Sequence, residues 1–473
     1  MHDLLSITLA QSSSHLYGFE GTTSLAIFVA GFTAMVLIAA MVLKIKLIHW
    51  LMAGMLMAAC LTPAPKQDMS GWVETWLFPV QVRRAQLHLA FGVLLTLLVL
   101  SKGSFSAHRV SFQSLFLVAI AFYQVVMRMV HADVSGAVET LGFALATLPC
   151  IALAAPQACS TREGCMQMIK AMMWVSVLWI AACCVQFIIN PQQLISSGGR
   201  FWGMLGNSNQ AGQMCGPMAA IALWLLVNDT SKRAKLLWLA LIGANLLFVI
   251  WSGSRAGGLH FVIGVAGVFY ARSGKAILLL PVAGLMLWGL YELSHALEIG
   301  QNLDRFTSGG PDTRSGVWVA QWELAMENPL IGSAGEESGY SENSYLFGFA
   351  LYGIGMFALL VSFMLASAWF CLRLMMSRRV LETDDRALLD LFVAFNAMYF
   401  LGAFFEGFMI ARSNTLQSML LMFAGIGVYM REQIALAQHH HHESYDGEVQ
   451  SGDDDGSHDH YSTDDHERGP IRA

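Results

Sequence analysis

Residues Arg305–Gly353 read RFTSGGPDTRSGVWVAQWELAMENPLIGSAGEESGYSENSYLFGFALYG, and they decide how the rest of the chain is taken. Elsewhere between Ser24 and Met430 the sequence runs in apolar blocks of about 17–25 residues, the length that crosses the hydrocarbon core of a bilayer as a helix. This stretch instead gathers Arg, Glu, Asn and Asp, which belong in water. The blocks form a scaffold, and any chemistry is expected on the polar segment and on the helix ends beside it.

Of 473 residues, 55% are hydrophobic and only 13% charged, and the mean hydropathy is +0.53, values that exclude an ordinary soluble domain. Lipid offers no partner to open backbone groups, and the blocks are too long for barrel strands of about 10 residues. The expected fold is therefore all-α: a polytopic helical membrane protein of about twelve or thirteen transmembrane helices with one large loop. A segment over 1–23, which lacks the basic start of a signal peptide, precedes a transmembrane domain over 24–437. That domain encloses the polar loop 292–343. The tail, 438–473, is acidic and histidine-rich, has nothing from which to build a core, and is expected to be disordered. Weak metal binding by its four consecutive His, or a partial tag, is the other reading of that stretch.

Placing the loop outside puts sixteen Lys and Arg on inner connections and nine on outer ones, the sense of the positive-inside rule. The C-terminus is then cytoplasmic, and outer arginines such as Arg200 and Arg255 ask for a reason. Most of the eight Cys lie inside apolar blocks, without a disulfide framework or zinc spacing. No metal or cofactor is expected, and no nucleic-acid partner.

Three helices are expected to begin on the outer face, each behind a polar turn. GGRFWGMLGNSNQAG carries Arg200, Asn207, Ser208 and Asn209; WSGSRAGG carries Ser252, Ser254 and Arg255; GYSENSYL carries Glu342, Asn343, Ser344 and Tyr345. Asn and Ser are good N-caps. Helix N-termini present free N–H groups and a partial positive charge, so several opening on one face suit an anion. Arg200 and Arg255 add guanidinium groups that bind phosphate oxygens bidentately, which makes a pyrophosphate clamp. The alternative is that both anchor their spans at the headgroups by snorkelling.

The loop adds Arg305 and Arg314, although it holds nine acidic residues against these two arginines. WVAQWELAMENP is expected to form a short amphipathic helix ended by Pro329, with Trp318 and Trp322 at the membrane interface. Glu342 is the candidate base for a hydroxyl proton; a helix cap or salt-bridge partner is its alternative role. His131, Asp133 and Glu139 are reserves for proton transfer.

Taken in order, Arg200 followed by Gly-x-x-Gly-Asn-x-Asn, Ser-Arg-Ala-Gly at 254–257, Arg314-x-x-x-Trp318, Asn-Pro-x-x-Gly-x-x-Gly from 328, and Glu-Asn-x-Tyr-Leu from 342 resemble the O-antigen ligase and O-antigen polymerase superfamily. These are bacterial inner-membrane glycosyltransferases of the GT-C type. The resemblance runs over roughly 200–353. It implies that Arg200 and Arg255 bind the pyrophosphate of an undecaprenyl-pyrophosphate-linked oligosaccharide donor on the periplasmic face. Arg314 takes the place of the family's loop arginine, with Trp318 where Leu is usual. Glu342, eleven residues before Gly353, stands where the ligases have His, a departure from the ligase pattern toward a polymerase of repeat units or exopolysaccharide. The implied activity is inverting, metal-independent transfer to a sugar hydroxyl of a glycan or lipid A-core-like acceptor. Arg200, Arg255 and Glu342 are the catalytic candidates. Arg314, Arg305, Asn207, Asn209, Ser254, Asn343 and Tyr345 are the substrate-binding ones.

Two other classes stay open. A secondary transporter of a small anion requires inverted repeats and helices interrupted near the bilayer midplane, and neither is legible; Asn245, Asn396 and Gln186 read as isolated interhelical hydrogen bonders. A non-catalytic glycan-binding membrane protein is the third.

Overall fold

The computed structural model describes residues 46–64, 71–101, 110–149, 153–196, 198–270, 313–333, 342–410 and 414–451. Among them there are fourteen α-helices and no strand, only an isolated antiparallel bridge between Ile195 and Phe201. The helices are α1 Leu47–Ala59, α2 Phe78–Gln81, α3 Arg84–Ser101, α4 Phe112–Val130, α5 Val134–Pro149, α6 Ala155–Ala158 and α7 Arg162–Ile189. They continue with α8 Ser208–Asn228, α9 Lys232–Ser252, α10 Arg255–Tyr270, α11 Thr313–Glu327, α12 Ser344–Met376, α13 Thr383–Gly402 and α14 Thr415–Ser451. Seven of these, α3, α4, α7, α8, α9, α12 and α14, are long and apolar enough to cross a membrane, so the chain is a multi-pass membrane protein. The expected spans at 24–43 and 275–291 lie outside the described residues.

Burial ranks the helices. In α8 and α14, 78% and 72% of the most apolar stretch is buried, against 22% in α3, so the first two are central and the last peripheral. α8 packs on α9 and α10, α10 on α13, and α13 on α14. With lipid on all sides, helix association depends on close van der Waals contact, and Gly-x-x-x-Gly provides it. Gly212 and Gly216 of α8 meet α10 there: a Cβ on Gly216 would stand 2.2 Å from the Gly257 carbonyl oxygen, and one on Gly257 would stand 2.3 Å from that of Gly212. This contact presses the turn before α10 onto the start of α8. Interhelical amides add to it, as expected: Asn245 bonds Ser176 at 3.1 Å and Gln113 bonds Asn396 at 2.7 Å.

Two features differ from the sequence expectation. α14 continues to Ser451, past the boundary at 437, because a helix already nucleated needs only propagation and no proline interrupts these residues. α12 is interrupted, which the sequence did not disclose: Gly353 has φ 76° and ψ −174°, and a side chain there would collide with the Leu330 carbonyl oxygen at 2.2 Å. The backbone groups freed by the break find partners in the returning loop. Ile354 N–H donates to Pro329 O at 2.8 Å, Ser333 N–H to Ala350 O at 2.8 Å, and the Tyr123 hydroxyl to Tyr352 O at 3.2 Å.

Candidate functional site

The polar turns gather at one end of the bundle, where α7, α9 and α13 finish and α8, α10 and α12 begin. Their helix starts are capped as their sequences suggest. The Asn207 side chain accepts from Asn209 N–H and Gln210 N–H, Asn343 from Tyr345 N–H and Leu346 N–H, and Ser254 from Gly257 N–H. Asn343 adopts φ 80°, a conformation rare outside glycine but most tolerated by Asn.

Arg200 is placed by its neighbour. Phe201 is fully buried, stacked on Phe248 at 4.4 Å and on Trp251 at 5.0 Å, and this fixes the loop from which Arg200 projects. The guanidinium then spans two elements: Nε donates to Ser252 O at 2.7 Å, at the end of α9, and Nη2 donates to Asn209 Oδ1 at 2.7 Å, in the first turn of α8. Ser254 Oγ donates to Asn209 O at 3.3 Å, so both turns are tied to the same residue.

A second group of residues meets the first. Arg314, at the start of α11, lies 3.5 Å from Glu342, just before α12, with its guanidinium 5.2 Å from the centre of the Phe405 ring. The residue after that ring is Glu406, in the loop that follows α13. This loop is stitched to α12: Ser344 N–H donates to Ala403 O at 2.7 Å, the Ser344 hydroxyl donates to Glu406 O at 2.6 Å, and Met409 N–H donates to the Ser344 hydroxyl at 3.2 Å. The Glu406 carboxyl accepts a hydrogen bond from the Asn209 side chain, which already binds Arg200. Its charge is also felt by Arg314, Glu342 and Arg200. Glu406 is 7% exposed, and among the described residues its Oε1 has no hydrogen-bond partner.

Burial pushes the Glu406 carboxyl up to about 7. The Arg314 guanidinium and the Asn209 hydrogen bond oppose this, the Glu342 carboxylate adds to it, and Arg200 opposes it again. An acid held near neutrality beside two guanidinium groups can exchange a proton at physiological pH. The cluster thus sets two arginines, Arg200 and Arg314, beside two carboxyls, Glu342 and Glu406.

Arg200, Asn209, Arg314 and Glu342 are thus brought together, and Asn207, Ser254, Asn343 and Tyr345 stand at the same end. Asn207 is exposed, whereas Tyr345 is buried and its hydroxyl donates to Phe400 O at 3.3 Å. Arg255, the first residue of α10, is exposed and has no hydrogen-bond or ion-pair partner among the described residues. Arg305 lies outside the described residues. Of the reserves, His131 makes a 2.9 Å hydrogen bond with Ile331 O and so braces the returning loop, whereas Asp133 pairs with Arg128 within the turn between α4 and α5. Trp322, half exposed, packs edge-on against Phe349.

Glu406 is the residue that sequence reasoning missed. In FFEGF it sits at the end of an apolar block and reads as the last residue of a span. An ionisable residue at such a place is by itself a signal of function. No protein-family model matches the chain, and no curated protein matches it.

Proposed function

We propose that the chain is a glycosyltransferase of the bacterial plasma membrane, acting at its periplasmic face on an undecaprenyl-pyrophosphate-linked oligosaccharide. It transfers or polymerises the glycan onto an acceptor sugar hydroxyl with inversion and without a metal. Arg200 and Arg255 stabilise the negative charge that develops on the departing pyrophosphate, the electrostatic contribution that usually dominates catalysis. Arg314 holds the sugar chain, and Glu342 orients the acceptor hydroxyl.

The observation that carries this reading is the continuous set Arg200, Asn209, Glu406, Arg314 and Glu342, in which cations for a phosphate and carboxyls for a hydroxyl share one end of the bundle. The test is chromatography of lipid-linked intermediates in cells lacking the chain and complemented with Glu342→Gln or Arg255→Ala. Undecaprenyl-linked single repeats accumulate if the reading holds. Their absence, with full-length polymer, contradicts it.

The break in α12 favours a second reading, a transporter of a small anion, because such proteins bind substrate at interrupted helices. Against it, the freed backbone groups at Gly353 are closed by the 329–333 loop and do not line an open path. A transporter leaves the lipid-linked intermediates unchanged in both variants.

A further inference from the structure

We infer that Glu406, and not the more evident Glu342, is the base that takes the proton of the acceptor hydroxyl, an assignment that rests on the transferase reading above.

The carboxyls and imidazole at this end of the bundle differ in what already occupies them. Glu342 is committed to Arg314 at 3.5 Å. Asp133 is paired with Arg128, and the His131 ring is bonded to the Ile331 carbonyl. Glu342 Oε2 and Glu406 Oε1 both lack a hydrogen-bond partner among the described residues, but Glu342 Oε2 has the Arg314 guanidinium beside it, whereas Glu406 is the more deeply buried and its Oε1 has no ion-pair partner among the described residues. A buried, unsatisfied carboxyl oxygen is costly, and such exceptions in a folded protein call for a role. Its backbone is held by Ser344 at 2.6 Å, its side chain by Asn209, and the neighbouring Phe405 ring by Arg314. Both guanidinium groups that bear on it come from other elements, Arg200 from the loop before α8 and Arg314 from α11, and the facing carboxylate, Glu342, comes from the start of α12. The Glu406 carboxyl therefore lies within electrostatic reach of both guanidinium groups and of the Glu342 carboxylate.

In the step, the acceptor O–H bond breaks and its proton passes to the Glu406 carboxylate. The acceptor oxygen forms a bond to the anomeric carbon from the face opposite the phosphate. The anomeric carbon–oxygen bond breaks, and undecaprenyl pyrophosphate leaves with the electron pair. The proton on Glu406 is then lost to water. No oxidant, reductant or metal enters the balance.

The experiment uses the full chain in lipid nanodiscs, with lipid-linked oligosaccharide extracted from cells lacking it as both donor and acceptor. Release of free undecaprenyl pyrophosphate is followed from about pH 5.5 to about pH 9, a window set around the tuned carboxyl. Expected is a wild-type kcat that rises through about 7, where the environment places this carboxyl. Glu406→Gln lowers kcat by about 10²–10⁴-fold with KM little changed and removes the rise, and Glu406→Asp restores part of both. Glu342→Gln keeps the rise. Infrared spectroscopy of the unloaded protein adds a readout independent of activity: a protonated-carboxyl band that titrates in the same window and is missing in Glu406→Gln. An active wild type whose pH profile survives in Glu406→Gln, or a band unaffected by that change, overturns the assignment while leaving the transferase reading intact. A wild type that releases no undecaprenyl pyrophosphate overturns the transferase reading, and this assignment with it.

Discussion

Arg314 and Glu342 lie 3.5 Å apart with side chains only 14% and 22% exposed, although the segments that carry them are separated by the whole turn of the 328–333 loop. An ion pair so placed is partly screened and contributes about 0.2–1 kcal/mol, so its use is positional. Glu342→Ala and Arg314→Ala are each expected to lower stability by no more than about 1 kcal/mol, with a double mutant less destabilised than the two effects added. Thermal unfolding in detergent checks this, and strict additivity counts against the pair.

Stability should also report on Glu406. Burial raises its folded-state value above the ordinary 4.5 to about 7, so the contribution it makes to stability is fully present below about pH 4.5 and is lost as pH rises through about 7. The loss is roughly 3 kcal/mol, at about 1.4 kcal/mol for each pH unit of the rise. Glu406→Gln is expected to flatten the unfolding temperature between about pH 5 and about pH 8, where the wild type falls.

At Gly353, φ 76° and the 2.2 Å approach of the Leu330 carbonyl leave no place for a side chain. Gly353→Ala is expected to cost about 1–3 kcal/mol from backbone strain alone, more with the collision. It should also loosen the 329–333 loop. Limited proteolysis near Ser333 measures the second effect, and an unchanged cleavage rate speaks against the joint.

At the opposite end of the bundle Arg378 binds Asp390 with two hydrogen bonds, at 3.0 and 2.9 Å, and the Asp390 side chain is 2% exposed. Removing one partner strands the other, so Asp390→Ala is expected to cost about 3–5 kcal/mol. Replacing both by apolar residues of similar volume should recover much of that. Unfolding curves of the single and double variants decide it, with transfer activity unchanged in the double variant.

The architecture was legible because lipid-length apolar blocks admit one backbone solution, and because Asn207, Ser254 and Asn343 mark helix starts by a short-range mechanism. Local readings of that kind need no tertiary knowledge. Gly353 was not legible as a break, since glycine is common in membrane helices and its φ depends on a carbonyl from Leu330, in another segment. Glu406 was hidden for a related reason. Between Phe405 and Gly407 it looks like the frayed end of a span, and its role as a neighbour of Arg200, Asn209, Arg314 and Glu342 exists only once four distant segments meet. Arg200 itself was named from its turn, but its placement by the buried Phe201 ring is a property of packing.

The most direct measurement of the central claim is incubation of the purified full chain with undecaprenyl-pyrophosphate-linked oligosaccharide, followed by separation of lipid and glycan products. Free undecaprenyl pyrophosphate is expected together with a lengthened or newly attached glycan, and a rate about 10²–10³-fold lower in Arg200→Ala. A donor recovered intact from the wild-type protein, or a rate indifferent to Arg200, would contradict it.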